Sequence, residues 1–182
     1  MARWDELLAR IPPATAEARG AEVGVWEGAM SEALLKRHGR LFLYLVDRWA
    51  PPPPGDSFRG SGSLIAEMPA ARHKQAFLLA SQRLARFSAR TACLKGASDA
   101  MAAHVPDRSL DFVFIDADHS YAGCRRDIMA WLPKVRPGGV IGGHDYNRPD
   151  KGDVTRAVQE CFPGTFEAGP HNCWWVRVPP PA

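Results

Sequence analysis

The stretch Asp111-Phe-Val-Phe-Ile-Asp-Ala-Asp-His-Ser-Tyr121 decides the fold. Four apolar residues in a row, Phe112 to Ile115, read as a strand buried on both faces. Acids arrive at its end, Asp116 and Asp118, followed by His119. In an open parallel sheet, ligands bind outside the carboxyl ends of the strands. Acids at that place are positioned to hold a metal, a ligand hydroxyl or a proton.

Outward from this strand, the elements alternate. Ala21 to Val25 reads as strand one, Ala29 to Arg37 as a helix and Arg40 to Asp47 as strand two. Ala50 to Pro69 is a loop, with four consecutive prolines and then Gly55, Gly60 and Gly62. A long helix fits Ala70 to Phe87, strand three Thr91 to Lys95, and a short helix Asp99 to His104. Strand four is Leu110 to Ile115, and Tyr121 to Leu132 is helical. Pro137-Gly-Gly139 turns into strand five, Val140 to Gly142, and Val154 to Phe162 is the last helix. Phe166 and the run Cys173 to Val178 suggest a closing antiparallel pair. Strands alternating with helices indicate βαβ units, a mostly parallel sheet and helices on both faces. The right-handed crossover rule places the ends of successive strands on one rim. No internal repeat or boundary divides residues 1–182, so a single domain is expected.

Composition narrows the class. Hydrophobic content of 46% and charged content of 24% suit a globular chain with a sizeable core. A net charge of +3 does not predict a nucleic-acid partner. Arg83, Arg86 and Arg90 recur at helical spacing and read as a solvated helix face. Met1 to Arg10 reads as a short amphipathic helix, not a signal peptide, and no apolar run reaches membrane-spanning length. Cys93, Cys124, Cys161 and Cys173 form no CxxC pair, which predicts reduced thiols in a cytoplasmic protein without a membrane partner.

The first strand-to-helix turn is Glu22-Val-Gly-Val-Trp-Glu-Gly28. It lacks the three-glycine G-x-G-x-x-G form that a dinucleotide's pyrophosphate needs, and residue 26 is tryptophan. Glu22 and Glu27 bring negative charge, which suits a ligand carrying an ammonium or sulfonium group. Asp47 ends strand two, where an acid accepts hydrogen bonds from ribose hydroxyls.

These residues resemble the class I S-adenosylmethionine-dependent methyltransferases, specifically the metal-dependent O-methyltransferases of the caffeoyl-coenzyme A and catechol type and those acting on antibiotic sugars. Glu22 to Gly28 resembles the first cofactor motif. Lys95-Gly-Ala-Ser98 resembles the segment after strand three, and Asp111 to Tyr121 the V/I-D-A-D segment. Val135-Arg-Pro-Gly-Gly-Val-Ile-Gly-Gly-His-Asp145 resembles the strand-five motif that ends in metal ligands.

The resemblance implies a Rossmann-like α/β sheet, mostly parallel with an antiparallel C-terminal strand, and S-adenosylmethionine as cofactor. It places Glu22, Gly24 and Gly28 at the methionine moiety, Asp47 at the ribose and Ser98 at the adenine. It makes Asp116 a cofactor neighbour and the first metal ligand, with His144 and Asp145 as the others. The family usually has Asp-Asn or Glu-Asp where this chain has His-Asp. Asp, His and Asp suit manganese, iron or zinc at least as well as magnesium. His119, three residues past Asp116, resembles the general base of the sugar enzymes; capping the helix that starts near Ser120 is its structural alternative. A histidine near its ordinary pKa of ~6.5 can take a proton from a hydroxyl acidified by a metal.

The expected activity is metal-assisted O-methylation of a small molecule with neighbouring hydroxyls. The rivals are a nicotinamide-dependent oxidoreductase and a cofactor-binding protein without catalysis. No D/N-P-P-Y/W run points to a nucleic-acid methyltransferase. Relatives usually carry extra helices before strand one; here the Ala50 to Pro69 loop, or a second subunit in a homo-oligomer, would close the site.

Overall fold

The computed structural model describes residues 2–56, 58–59, 63–148 and 152–180. Gly60, Gly62 and the last two residues therefore lie outside the described residues.

The elements in chain order are α1 (Arg3–Leu8), β1 (Ala18–Val23), α2 (Ala29–Arg37), β2 (Leu41–Asp47), α3 (Ala70–Leu84), β3 (Thr91–Lys95), α4 (Ser98–Ala102), β4 (Leu110–Ile115), α5 (Tyr121–Trp131), β5 (Val135–Gly143), α6 (Gly152–Cys161), β6 (Glu167–Ala168) and β7 (Trp174–Arg177). The strands form one seven-stranded sheet in the order β3-β2-β1-β4-β5-β7-β6. The first five are parallel, and β7 runs antiparallel to both β5 and β6. The order reverses direction between β1 and β4, which opens the crevice where such sheets bind ligands.

Alternation along β4 divides the core. Phe112 and Phe114 face α1, α2 and α3 with Leu7, Leu34, Ala76 and Leu84. Val113 and Ile115 face α4, α5 and α6 with Ala102, Ile128, Trp131 and Val158. Successive strand side chains point to opposite faces, so only a strand covered on both sides is apolar throughout. All of Leu110 to Ile115 is buried, and Asp111 tolerates this by accepting from Arg19 N at 2.7 Å and pairing with Arg136.

Several boundaries differ from those the sequence suggests. Strand one runs Ala18–Val23 rather than Ala21 to Val25, because Gly24 turns to φ +98° and ends the extended backbone. Strand five begins at Val135, not Val140. Val135 pairs with Leu110 and Val140 with Phe112, and the bulge between them absorbs Pro137, Gly138 and Gly139. The long helix ends at Leu84 and continues to Arg90 as a tighter 3₁₀ turn.

Of the three arginines only Arg86 stays on a solvated face, its side chain 58% exposed. Arg83 donates to Glu27 O, Arg86 pairs with Glu32, and Arg90 donates to the carbonyls of Leu35, His38 and Leu41. Carbonyls at a helix end lack intrahelical partners, and the Arg90 fork satisfies three at and beyond the end of α2. Trp174 and Trp175 are also both core residues, at 1% and 2% exposure. Alternation sends them to opposite faces, against Phe162 and Phe114 respectively.

Phe112 lies flat over Gly20 on the neighbouring strand. A Cβ at residue 20 would stand 2.2 Å from the Phe112 ring, which is fully buried and has nowhere to move. Gly20→Ala should therefore destabilise the fold by about 1–3 kcal/mol, the usual penalty for overpacking. Urea unfolding would show a lower midpoint with an unchanged slope; an unaltered midpoint would mean the ring has room.

Candidate functional site

A cleft of about 300 Å³ opens over the carboxyl ends of β1, β2, β3 and β4. Its floor is the turn after β1. Gly24 N donates to Val46 O at 2.8 Å, and Asp116 N donates to Val23 O at 2.7 Å, so three strand ends are tied together here. A Cβ on Gly24 would lie 2.0 Å from the Asp116 carbonyl oxygen. Both the positive φ and this approach require glycine at residue 24. Gly28, also at positive φ, starts α2.

Glu22 lines the cleft yet is 2% exposed. Burial pushes its carboxyl up to about 8, against a hydrogen bond from the Ser31 hydroxyl that favours the ionised form. Asp47 does not pair with Arg48, which binds Asp56 instead at 2.8 Å. Asp47 accepts backbone N–H bonds from Trp26 at 2.8 Å and Trp49 at 2.7 Å, one on each oxygen. Burial still raises its pKa, and those two bonds oppose the rise. Each carboxylate oxygen has a second acceptor site, so Asp47 is rigidly aimed and able to receive ligand hydroxyls.

Beside this lies a cluster on the ends of β4 and β5. Asp116, His144 and Asp145 each present one ligand atom, all within 4.8 Å of one another. His144 Nδ1 is 3.1 Å from Asp145 Oδ1 and 3.6 Å from Asp116 Oδ1. Asp145 has φ +64°, a left-handed conformation that aspartate tolerates and that turns the chain sharply behind β5. His119 Nε2 is 3.1 Å from Asp145 Oδ2 and 3.5 Å from Asp116 Oδ1. His119 does not cap α5: Ser120 does, accepting from Gly123 N at 3.1 Å.

Arg3, on α1, completes the cluster. Its Nη1 meets Asp116 Oδ2 at 2.6 Å. Burial alone would raise the Asp116 pKa, but hydrogen bonds from His119 and His144 and the Arg3 charge outweigh it and hold the carboxyl far below the usual range. Asp145 is lowered as well, burial being outweighed by His144 and His119. Burial disfavours a charged His144, but the two carboxylates prevail and push it up to about 9. The O, N, O donor set fits one divalent ion, which would displace the His144 proton and the Arg3 guanidinium from the carboxylates.

At the opposite side, Ser98 lines the cleft with Gly96, Asp118, Arg126 and Asp127. The Ser98 hydroxyl accepts from Trp131 Nε1 at 2.9 Å and bonds the Asp127 carboxyl. Part of the Ala50 to Pro69 loop reaches the cleft: Ala50, Phe58 and Ile65 line it, and Phe58 meets the His119 ring edge-on at 6.2 Å. Trp26 lines it too, packed against His73. Sequence reasoning missed Arg3 and Asp127. The aspartate's helical spacing beside Ile128 and Trp131 was the available signal for a buried acid.

The strand order, the glycine turn and the acid after β2 define a Rossmann-like cofactor-binding class. Within it, a methyltransferase-domain family model matches residues 21–146, well over half of the chain, and the chain belongs to that family. It is an S-adenosylmethionine-dependent methyltransferase. The chain is similar in structure to the O-methyltransferase NovP, with 18% identity, a TM-score of 0.64 and coverage of 97% of this chain and 79% of that one. For the calicheamicin methyltransferase CalS11 the values are 12%, 0.69, 96% and 76%. For an rRNA methylase from Streptococcus thermophilus they are 14%, 0.62, 96% and 93%. These likenesses show the shared fold. No curated protein matches significantly in sequence.

Glu22 gives a test without any ligand. Its folded pKa of about 8 lies above the ordinary 4.5, so its stabilising contribution is complete below the ordinary value and lost as pH rises through the folded one. Glu22→Gln should remove this loss. The fall in unfolding free energy between about pH 5 and about pH 9 should shrink by a few kcal/mol, at ~1.36 kcal/mol per pKa unit. Parallel pH profiles for wild type and variant would show that Glu22 is ionised in the fold throughout.

Proposed function

We propose that this chain methylates a hydroxyl of a small molecule bearing neighbouring hydroxyls, a sugar or catechol-like ring, using His119 as general base beside a divalent ion on Asp116, His144 and Asp145. The observation that carries this reading is the placement of His119 Nε2 within 3.5 Å of both Asp116 and Asp145, in the cleft that Glu22 and Asp47 also line. NovP is an O-methyltransferase and CalS11 a TDP-rhamnose 3'-O-methyltransferase, and the likeness to both supports the reaction and a sugar acceptor.

The cleft's charge supports the cofactor's orientation. Glu22, Glu27, Asp47, Asp116, Asp118 and Asp127 line it against Arg3, Arg48 and Arg126, an acidic excess that suits an ammonium and a sulfonium better than a pyrophosphate. In this reading Glu22, Gly24 and Gly28 take the methionine end, Asp47 the ribose and Ser98 the adenine. Asp116, which lines the cleft and belongs to the ligand cluster, would neighbour both the cofactor and the ion. An ion on the three ligands would acidify a bound hydroxyl and align two neighbouring oxygens.

His119 receives the hydroxyl proton. S-adenosylmethionine held by the cofactor residues would supply the methyl group to that oxygen, its carbon–sulfur bond breaking with the electron pair returning to sulfur. Asp145 Oδ2 stabilises the imidazolium that results. Phe58 covers one edge of His119 and limits water there. A small acceptor is favoured over nucleic acid because the arginines nearest to forming a basic face are bonded to α2 and its flanks.

Asp47→Ala should weaken binding of S-adenosylhomocysteine by about 1–3 kcal/mol, the scale of lost hydrogen bonds to a buried acceptor. Calorimetry on protein verified as folded by circular dichroism reads this directly, with NAD as the control. Equal affinity in both proteins would remove Asp47 from the ribose site. Tight NAD binding without S-adenosylhomocysteine binding would reject the cofactor orientation altogether.

His119→Ala should lower turnover by about 10²–10⁴ with cofactor affinity nearly unchanged. The assay panel is a set of sugars and catechols with manganese, zinc or magnesium, and chelation should abolish turnover in the wild type. A fully active variant would end the general-base role, and full activity in chelator would end the metal role.

A further inference from the structure

Of the three arginines that line the cleft, Arg3 alone, among the described residues, pairs with a member of the ligand cluster. Arg48 pairs with Asp56, and Arg126 with Asp118 and Asp99. Arg3 Nη1 meets Asp116 Oδ2 at 2.6 Å, while His119 and His144 face Oδ1 at 3.5 Å and 3.6 Å. An ion arriving from the histidine side therefore meets a carboxylate that already carries a full positive charge. The pair is largely shielded from water, with 29% of the Arg3 side chain and 15% of the Asp116 side chain exposed. Like charges repel most where water screens them least.

Arg3 also belongs to the cover of the cleft. α1 has six residues, too few to be a stable helix alone, so its order comes from its contacts. Leu7 is fully buried and holds the last turn in the core. Arg10 ties down the chain just beyond, through Glu6 at 2.9 Å and Glu167 at 3.4 Å. In the first turn, Trp4 lies against the Arg37 guanidinium and Asp5 is 3.7 Å from Arg37. Neither of these residues lines the cleft; among the described residues of α1 only Arg3 does. The helix and the site are thus linked through one side chain.

We propose that Arg3 competes with a divalent ion for Asp116, so that α1 is a cover released at its first turn when the ion binds. The inference rests on the metal reading above and deepens it. The free protein carries its own competitor, which lowers its affinity for the ion, and the ion in turn loosens the helix. The two effects are one coupling, equal in both directions. Only molecules in which Arg3 has left Asp116 present the full ligand set, and the apparent affinity is scaled by their fraction. Arg3 lines the cleft with His119, so its departure also frees space at the acceptor end.

The test uses manganese as the probe, on the full chain without cofactor or acceptor. Hydrogen exchange of the wild type should quicken in α1 on saturation with manganese, while α3 stays unchanged. Arg3→Gln, verified as folded by circular dichroism, should bind manganese about ten-fold more tightly in calorimetry, the low end for a hydrogen bond between charged groups. In that variant α1 should already exchange fast and respond little to the ion. Arg3→Lys keeps the charge and should stay closer to the wild type. Unchanged or weaker manganese binding in Arg3→Gln overturns the proposal. So does a wild-type α1 whose exchange ignores bound manganese, a result that needs no variant. If neither the wild type nor Arg3→Gln binds manganese, or if Asp145→Asn leaves binding intact, the metal reading fails and this role fails with it. Binding that depends on Asp145 but not on Arg3 removes the role of Arg3 alone.

Discussion

Asp116 N–H donates to the carbonyl of Val23, and Gly24 N–H donates to the carbonyl of Val46. These two hydrogen bonds join the ends of β4, β1 and β2 where the sheet order reverses. They also press the Asp116 backbone against Gly24, at a spacing no side chain would permit. Because the backbone is fixed there, the Asp116 carboxyl must project over the crevice. From that one position it meets Arg3 from α1, His119 three residues further along the same loop, and His144 from the end of β5. The site's assembly thus follows from strand pairing, and the charged side chains are carried into contact by it.

Bringing so many acids to one rim has an electrostatic consequence. Glu22 and Asp127 are pushed up to about 8 and about 7 by burial. Asp116 and Asp145 are driven the other way by the histidines and Arg3. Carboxylates with opposite perturbations in one cleft divide it into two chemical regions. Around Glu22 and Asp127 burial favours the neutral carboxyl, and a nearby cation would favour the ionised one. Around Asp116 it holds positive charge already, as imidazolium and guanidinium. The first region suits a cofactor with fixed positive groups. The second suits a divalent ion exchanging for charges of the same sign.

The fold was legible because its strongest signal is also its central strand. A run such as Phe112 to Ile115 has little choice but to be covered on both faces, and its neighbours alternate with helices. The acids at strand ends were legible for the same reason: a polar residue that ends an apolar run falls at the rim. Side chains arriving from elsewhere were not legible. Arg3 reaches Asp116 across 113 positions of sequence, and no local pattern encodes that distance. Arg83, Arg86 and Arg90 look solvated by spacing alone; Arg86 is, whereas the Glu27 carbonyl and those at the end of α2 draw Arg83 and Arg90 inward. Trp174 and Trp175 show the limit of alternation. It assigns two faces correctly, but it does not say that both faces are buried.

Closure of the cleft follows from the same geometry. α1 packs Leu7 into the core below β4 and so brings Arg3 over Asp116. Beyond the prolines, Arg59 donates to the Pro52 carbonyl at 2.8 Å and Arg48 pairs with Asp56, bending the segment back on itself. That bend delivers Phe58 to His119. One covering element is therefore anchored by the Arg3–Asp116 ion pair, the other by the Arg48–Asp56 pair, the Arg59 hydrogen bond and the Phe58 ring edge. Exchanging Arg3's charge for a metal ion would weaken only the first anchor. Both covering elements thus meet at the Asp116–His119 end of the cleft, α1 through an ion pair and the loop through an aromatic edge.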